Sequence, residues 1–414
     1  MRLIFLAFTL VALFLQIGYS RLLAKLLPPF LRRWNPWILL ALNLPLLLDV
    51  CLRAAHLGMP GTFWVRSLGR IGLILQALAA LHLATWGLTI LAGRWRQRRH
   101  RKVLVDEQRR AFLRNSILTS SGLLLLAGSG GAVQAYGDPE LNRLNLHFPD
   151  LPQGMDGLRI LHLTDLHAGP LVRKTTLLRW RTLAERERPD VVIITGDFVD
   201  SQPDEMTAIE EAFGSFSAPL GRFAILGNHD YFTDPRPIWK SLERMGFQCL
   251  ENAHALIERN GSHIVVFGLQ DPMARNGQFR GLRFGPGPMP RDVALRMPQS
   301  CWRLALCHRP SNWNLALEAG AHLTLSGHTH GGQINLVPGV SSAKLMGRFT
   351  SGIYREGHRL LFVNRGLGVV GLPMRVGAPP EISLLTLHRS ENPALHSREN
   401  EIASFFAPNR GPIV

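Results

Sequence analysis

The residues best suited to chemistry stand at the ends of short apolar runs. Asp165 and His167 are spaced i, i+2, and His328 and His330 repeat that spacing. On an extended segment such a pair points to one side. Asp197 and Asp200 follow the run 191–194, Asn228, His229 and Asp230 follow 222–226, and His308 follows 304–307. A lone strand-end His is more often a satisfied polar residue than a ligand, and a lone Asp there is usually a cap or turn residue. Five apolar runs that each deliver an O or N donor, two of them as pairs, resist that explanation. The set has no thiolate and mixes imidazole, carboxylate and amide oxygen. It suits divalent ions such as Mn, Fe or Zn and not a closed structural zinc site. Two such cations would lower the pKa of a shared water and clamp phosphoryl oxygens.

The elements that must position these donors follow from periodicity. Largely apolar runs of four to six residues at 158–163, 191–194, 222–226, 304–307 and 323–326 read as buried strands. Between them, 172–188, 204–215 and 236–246 carry helical patterns. Strands alternating with helices predict an α/β domain with its chemistry at strand ends. Segments 256–269 and 359–388 are strand-rich, which suggests two sheets packed face to face with helices outside. Residues 272–300, rich in Gly, Pro and Arg, read as a long loop, and 389–414 as a loose polar tail.

The ordered motifs Asp165-x-His167, Gly196-Asp197-x-x-Asp200, Gly227-Asn228-His229-Asp230, His308 and Gly327-His328-Thr329-His330 resemble the calcineurin-like metallophosphoesterases. The match covers about 158–335 by motif and is expected to reach about 388. The segments 327–333, 364–368 and 379–382 look like a membrane-associated bacterial branch that includes enzymes similar to UDP-2,3-diacylglucosamine hydrolases. The resemblance implies a two-sheet sandwich flanked by helices and two divalent ions. It assigns Asp165, His167, Asp197 and His330 to metal one, and Asp197, Asn228, His308 and His328 to metal two, with Asp197 bridging. His229, next to a ligand but projecting differently, is expected to serve the leaving group. Asp230 would either orient that imidazole or cap a helix, and Asp200 would orient a ligand histidine. His162, His254 and His322 fall in no motif and read as structural. Arg275, Arg280, Arg283 and Arg291 in the 272–300 loop suit either an anionic headgroup or solvent.

The first third is different. Residues 1–136 hold 17 Lys and Arg against three acids, so +14 of the formal +16 charge lies there. These basic residues flank apolar runs at 3–19, 34–52, 71–92 and 117–135, each near the roughly 20 residues that cross a bilayer. Their distribution speaks for about four transmembrane helices and against a nucleic-acid partner. The first run has only Arg2 ahead of it and no convincing cleavage site after it, so it reads as a retained helix. The loops 20–34 and 93–116 are the most basic and are placed inside, which puts everything after 136 on the outer face. Arg109-Arg110 ahead of a Gly-rich run resembles a twin-arginine export signal, and Val133-Gln134-Ala135 would suit a signal peptidase. Asp49 and His82 within the runs read as polar contacts between helices or as interfacial residues. Cys51, Cys249, Cys301 and Cys307 form no metal or disulfide pattern.

These observations predict a membrane helical region over 1–136, a catalytic α/β domain over 137–388 and a tail over 389–414. The expected activity is a phosphodiesterase or pyrophosphatase reaction on a lipid-linked or envelope phosphate ester, in a multi-pass inner-membrane protein. UDP-diacylglucosamine hydrolysis is an alternative, although that substrate faces the cytoplasm. A metal-binding sensor without turnover and a transporter using Asp49 and His82 are the rivals from other classes.

Overall fold

Buried parallel strands need apolar residues on both faces, and the short apolar runs form such strands. The computed structural model describes residues 17, 130–131, 133–276, 281–335, 340–345, 347–371 and 373–390. Of these, residues 131–370 and 374–390 belong to one compact unit. It contains two six-stranded sheets. In the first, β1 (Glu140–Phe148) is followed by β12 (Glu381–Arg389), β2 (Leu158–Leu163), β3 (Val191–Thr195), β4 (Arg222–Ile225) and β5 (Gln248–Cys249). Strands β2 to β5 are mutually parallel, while β12 runs antiparallel to β2 and parallel to β1. In the second, the order is β10 (Gly352–Glu356), β11 (Arg359–Val363), β9 (Leu323–Ser326), β8 (Arg303–Cys307), β7 (Ser262–Leu269) and β6 (Ala253–Arg259). Its four central strands are parallel and both edges are antiparallel hairpin partners.

The period-two pattern of each strand divides its side chains between layers. Ile160, Val191, Ile193, Phe223 and Ile225 of the first sheet meet Ile264, Val266, Leu304, Leu306, Leu325 and Phe362 of the second in one core. The alternate residues Leu161, Leu163, Val192 and Ile194 pack outward against α1 (Lys174–Glu185), α2 (Met206–Phe213) and α3 (Pro235–Arg244) through Trp180, Ile209, Phe213 and Ile238. On the far side, Val265, Phe267, Ala305 and Leu361 pack against Val293 of α5 (Pro290–Arg296) and Trp313 of α6 (Trp313–Glu318). Helix α3 starts where its sequence dictates: Asp234 accepts from the Arg236 N–H, and Pro235 fills the first turn.

Two elements depart from the sequence reading. The expected loop 272–300 contains α4 (Met273–Asn276) and α5. Seven residues with one buried position, Val293, are too few to register as a helical period. Strand β1 was not anticipated, because it is an edge strand whose pairing with β12 spans more than 230 residues of chain. Cys249, Cys301 and Cys307 are free thiols. The four apolar runs, with Asp49, His82 and the paired arginines, lie outside the described residues apart from residue 17 and the helical residues 130–131 and 133–135; so do Arg280 and the tail from 391. No helix among the described residues is long and apolar enough to cross a membrane.

His162 points into the intersheet core, where its Nε2 lies 2.9 Å from Thr195 Oγ1 and its ring edges Phe362. Burial lowers its pKa to about 4, against the opposing pull of Glu381 and Asp165. The folded state therefore refuses a proton that the unfolded chain accepts below about pH 6.5. The contribution of His162 to stability should fall by about 3 kcal/mol between pH 6.5 and 4, at ~1.4 kcal/mol per pH unit, and level off below. Urea unfolding across that range should show a shallower decline for His162→Gln; equal slopes would rule this out.

Candidate functional site

The parallel strands of both sheets end at one edge, and that edge carries every donor. β2, β3 and β4 deliver Asp165 and His167, Asp197, and Asn228 and His229; β8 and β9 deliver His308, and His328 and His330. Within this edge Asp165, His167 and His330 form one cluster able to hold an ion, and Asp197, His308 and His328 form another. A third grouping places His229 with His167 and Asp197. In the first cluster, His330 Nε2 lies 3.4 Å and His167 Nε2 3.8 Å from Asp165 Oδ1, and the two imidazole nitrogens are 3.2 Å apart. Donors about 2.1 Å from a shared tetrahedral ion would stand roughly 3.4 Å from one another. Asp197 Oδ2 faces both groups, 3.5 Å from His167 Nε2 and 3.3 Å from His308 Nε2. Asn228 Oδ1 completes the second group at 3.1 Å from His308 Nε2. The residues present fit a pair of oxygen- and imidazole-bound divalent ions.

The i, i+2 pairs do not work as the extended geometry predicts. Asp165, His167, Asp197, His328 and His330 all have positive φ, between 45° and 72°. They are half of the ten described non-glycine residues in that region. Each such residue costs on the order of 1–3 kcal/mol and persists because its surroundings over-determine it. Here the surroundings are backbone bonds: Asp165 N–H donates to the Gly196 carbonyl, His167 N–H to that of Asp197, and His328 N–H to the Asp165 carboxylate. Two motif glycines permit the close approach. A Cβ on Gly227 would sit 2.2 Å from Asp197 Oδ1, and one on Gly327 2.2 Å from Asp165 Oδ2.

Charge and burial reinforce one another. Burial works to raise the Asp197 carboxyl, but His308, His229 and His167 hold it well below the usual range. Burial works to lower His308, yet Asp197 pushes it up to about 10. His328, buried and beside His308, is lowered to about 4. His308 Nδ1 is 2.7 Å from the Thr195 carbonyl, which orients its Nε2 toward Asp197. His167 Nδ1 is buried with no hydrogen-bond partner among the described residues.

His229 stands beside the donors, its ring edge-on to His167 with centroids 4.6 Å apart. Its Nδ1 is 2.9 Å from the backbone carbonyl of Asp200. The expectation that Asp230 orients this imidazole is not met. Asp230 is fully buried and turns away, accepting from the N–H groups of Asp197, Phe198, Val199 and Gly227 at 2.8–3.3 Å. Its capping alternative is nearer, although what it caps is the turn that carries Asp197. Burial, with Asp197 nearby, raises its pKa to about 7. Asp200 contributes its main-chain oxygen to His229. Arg291 pairs with Glu318 at 2.6 Å.

One residue at this edge escaped the sequence reading. Arg375 is fully buried, and its Nη2 lies 3.1 Å from His330 Nδ1. Burial lowers its pKa to about 9, with Asp165 opposing. An arginine after an apolar stretch, 45 residues from its histidine, carries no local signal.

The sequence pattern of a family described as calcineurin-like phosphoesterase matches residues 158–332. A "Transmembrane protein with metallophosphoesterase domain" of Danio rerio is 34% identical over 63% of this chain and 60% of its own length. "Uncharacterized metallophosphoesterase YkuE" of Bacillus subtilis is 30% identical over 67% of this chain and 97% of that protein. An "Uncharacterized metallophosphoesterase" of Aquifex aeolicus is 29% identical over 58% of this chain and 89% of its own. The chain thus spans about three fifths of the zebrafish protein and nearly all of the two bacterial ones.

Asp230→Asn should behave as a stability variant. It leaves buried N–H groups short of acceptors, at roughly 1–3 kcal/mol each, so its melting temperature should fall while the pH dependence of kcat stays that of the wild type. An unchanged melting temperature with an altered pH profile would return Asp230 to the role of orienting His229.

Proposed function

This chain belongs to the calcineurin-like metallophosphoesterases, and we propose on that premise that residues 137–388 form a two-ion phosphodiesterase or pyrophosphatase acting on a lipid-linked envelope substrate. That it is a metal-dependent phosphoesterase follows from the family. The two-ion assignment is carried by one observation, the single Asp197 oxygen facing both histidine groups. Metal one takes Asp165, His167, Asp197 and His330; metal two takes Asp197, Asn228, His308 and His328. Bound there, the two ions supply an activated water and neutralise charge on the phosphoryl oxygens.

The chain's own residues do the rest. Asp197 Oδ1 accepts from the His229 N–H at 2.8 Å, which ties the bridging carboxylate to the turn carrying the leaving-group residue. With His229 Nδ1–H donating to the Asp200 carbonyl, Nε2 is the nitrogen left for the leaving oxygen, and it gives a proton there from the doubly protonated ring, which returns to the neutral form. The grouping of His229 with His167 and Asp197 allows a second role as a ligand, and substitution separates the two.

The membrane part of the proposal rests on the four apolar runs, their basic flanks and the name of the zebrafish relative. A tether raises the local concentration of any substrate held in the same bilayer. The charge distribution supports an outer-face orientation for this domain, which would favour phosphate esters exposed there over nucleotide-linked lipids of the cytoplasm.

Purified full-length protein with Mn should cleave bis(p-nitrophenyl) phosphate and lose that activity on chelation. Asp197→Asn should abolish turnover and cost an ion. His229→Ala should lower kcat by about 10²–10⁴-fold with both ions retained on elemental analysis; loss of an ion would make His229 a ligand instead. A C-terminal reporter active only in the cytoplasm would sink the proposed orientation.

A further inference from the structure

Burying a charge without a counter-ion costs several kcal/mol, so a buried arginine with no carboxylate partner needs a reason. Among the described residues, the guanidinium of Arg375 hydrogen-bonds to backbone carbonyls and lies beside His330. Nε donates to the Gly368 oxygen at 3.0 Å, Nη1 to those of Arg365 and Ala378 at 3.0 Å, and Nη2 to that of Gly366 at 3.0 Å. Nη2 also faces His330 Nδ1 at 3.1 Å. Those carbonyls belong mostly to the segment 364–368, whose other side rests on Asp165. Leu367 N–H donates to the Thr164 carbonyl at 3.1 Å, and Gly368 N–H to that of Asp165 at 2.7 Å. Gly366 lies so near that a Cβ there would come within 2.7 Å of the Asp165 Cβ. One guanidinium therefore holds the segment that backs Asp165, and it stands beside the His330 ring.

Both of those residues belong to metal one. We propose that Arg375 is a positioning residue for metal one alone, setting the placement of Asp165 through the 364–368 segment without touching metal two; this rests on the two-ion assignment above. The contacts use the planar fork of a guanidinium to reach several acceptors at once, so a lysine, with its single ammonium, cannot reproduce them. Groups that orient metal ligands from behind are typically worth 10–100-fold in metal affinity. That loss should fall on one ion of the pair.

The test is a Mn titration of the full chain in detergent, read by elemental analysis and electron paramagnetic resonance. The wild type should hold two ions with a spin-coupled signal. Arg375→Lys should stay folded in saturating Mn, bind its first ion with unchanged affinity, and bind the second about 10–100-fold more weakly. At Mn levels that fill the wild type, it should show the isolated six-line spectrum. His308→Ala should lose the opposite ion, and the double variant both. The proposal is overturned if Arg375→Lys keeps two ions at wild-type affinity, if both ions weaken together, or if the variant fails to fold even in saturating Mn, which would make the arginine a pin of the fold. A wild type that holds a single ion overturns the two-ion assignment itself, a failure the same titration shows before any variant is made.

Discussion

A single carboxylate oxygen, Asp197 Oδ2, must lie between two groups of imidazoles, and much of the surrounding structure serves that requirement. It is 3.5 Å from His167 Nε2 and 3.3 Å from His308 Nε2. The other oxygen of the same carboxylate is occupied by the His229 N–H. The backbone that carries Asp197 is fastened from below by the Asp230 carboxylate through three consecutive N–H groups. Its left-handed φ of 54° is unfavourable alone. It survives because those bonds, and the absence of a side chain on Gly227, leave it no better place.

The two sheets divide the labour. The first supplies Asp165, His167, Asp197 and Asn228; the second supplies His308, His328 and His330. On the proposed two-ion assignment neither sheet holds a complete set for either ion, since metal one would need His330 from the second and metal two would need Asp197 and Asn228 from the first. On that assignment the register between the sheets matters to catalysis. It is set by the apolar layer in which Ile160, Ile193 and Phe223 meet Leu304, Leu325 and Phe362. Close-packed interiors do not slide by fractions of an ångström without cost, so this core holds the two half-sites in step.

His162 and Arg375 show what a metal edge does to its neighbourhood. Each is a basic group fully buried near clustered acids and imidazoles, and each is held by neutral partners, a threonine hydroxyl in one case and chiefly main-chain carbonyls in the other. Positive charge close to an intended cation site would compete with it. Depressing the histidine's affinity for protons, and spreading the guanidinium over carbonyl dipoles, limits that competition.

The five donor runs were legible from sequence because their signal is local: a few apolar residues, then a polar donor, is the physical signature of a buried parallel strand ending at a water-accessible edge. The two-sheet α/β architecture follows from the same alternation, as does the charge asymmetry between the first third and the rest. Other features depend on partners distant in the chain. Edge strand β1 exists through β12, Asp230 was drawn from His229 to the turn after β3, and Arg375 meets His330 only where the 364–368 segment folds over Asp165. The positive φ of the i, i+2 pairs belongs here too, because a residue enters that region when tertiary hydrogen bonds offset its steric cost. Sequence alone determined which groups are offered to the ions; the direction each one faces, and what holds it there, was decided by packing between the sheets.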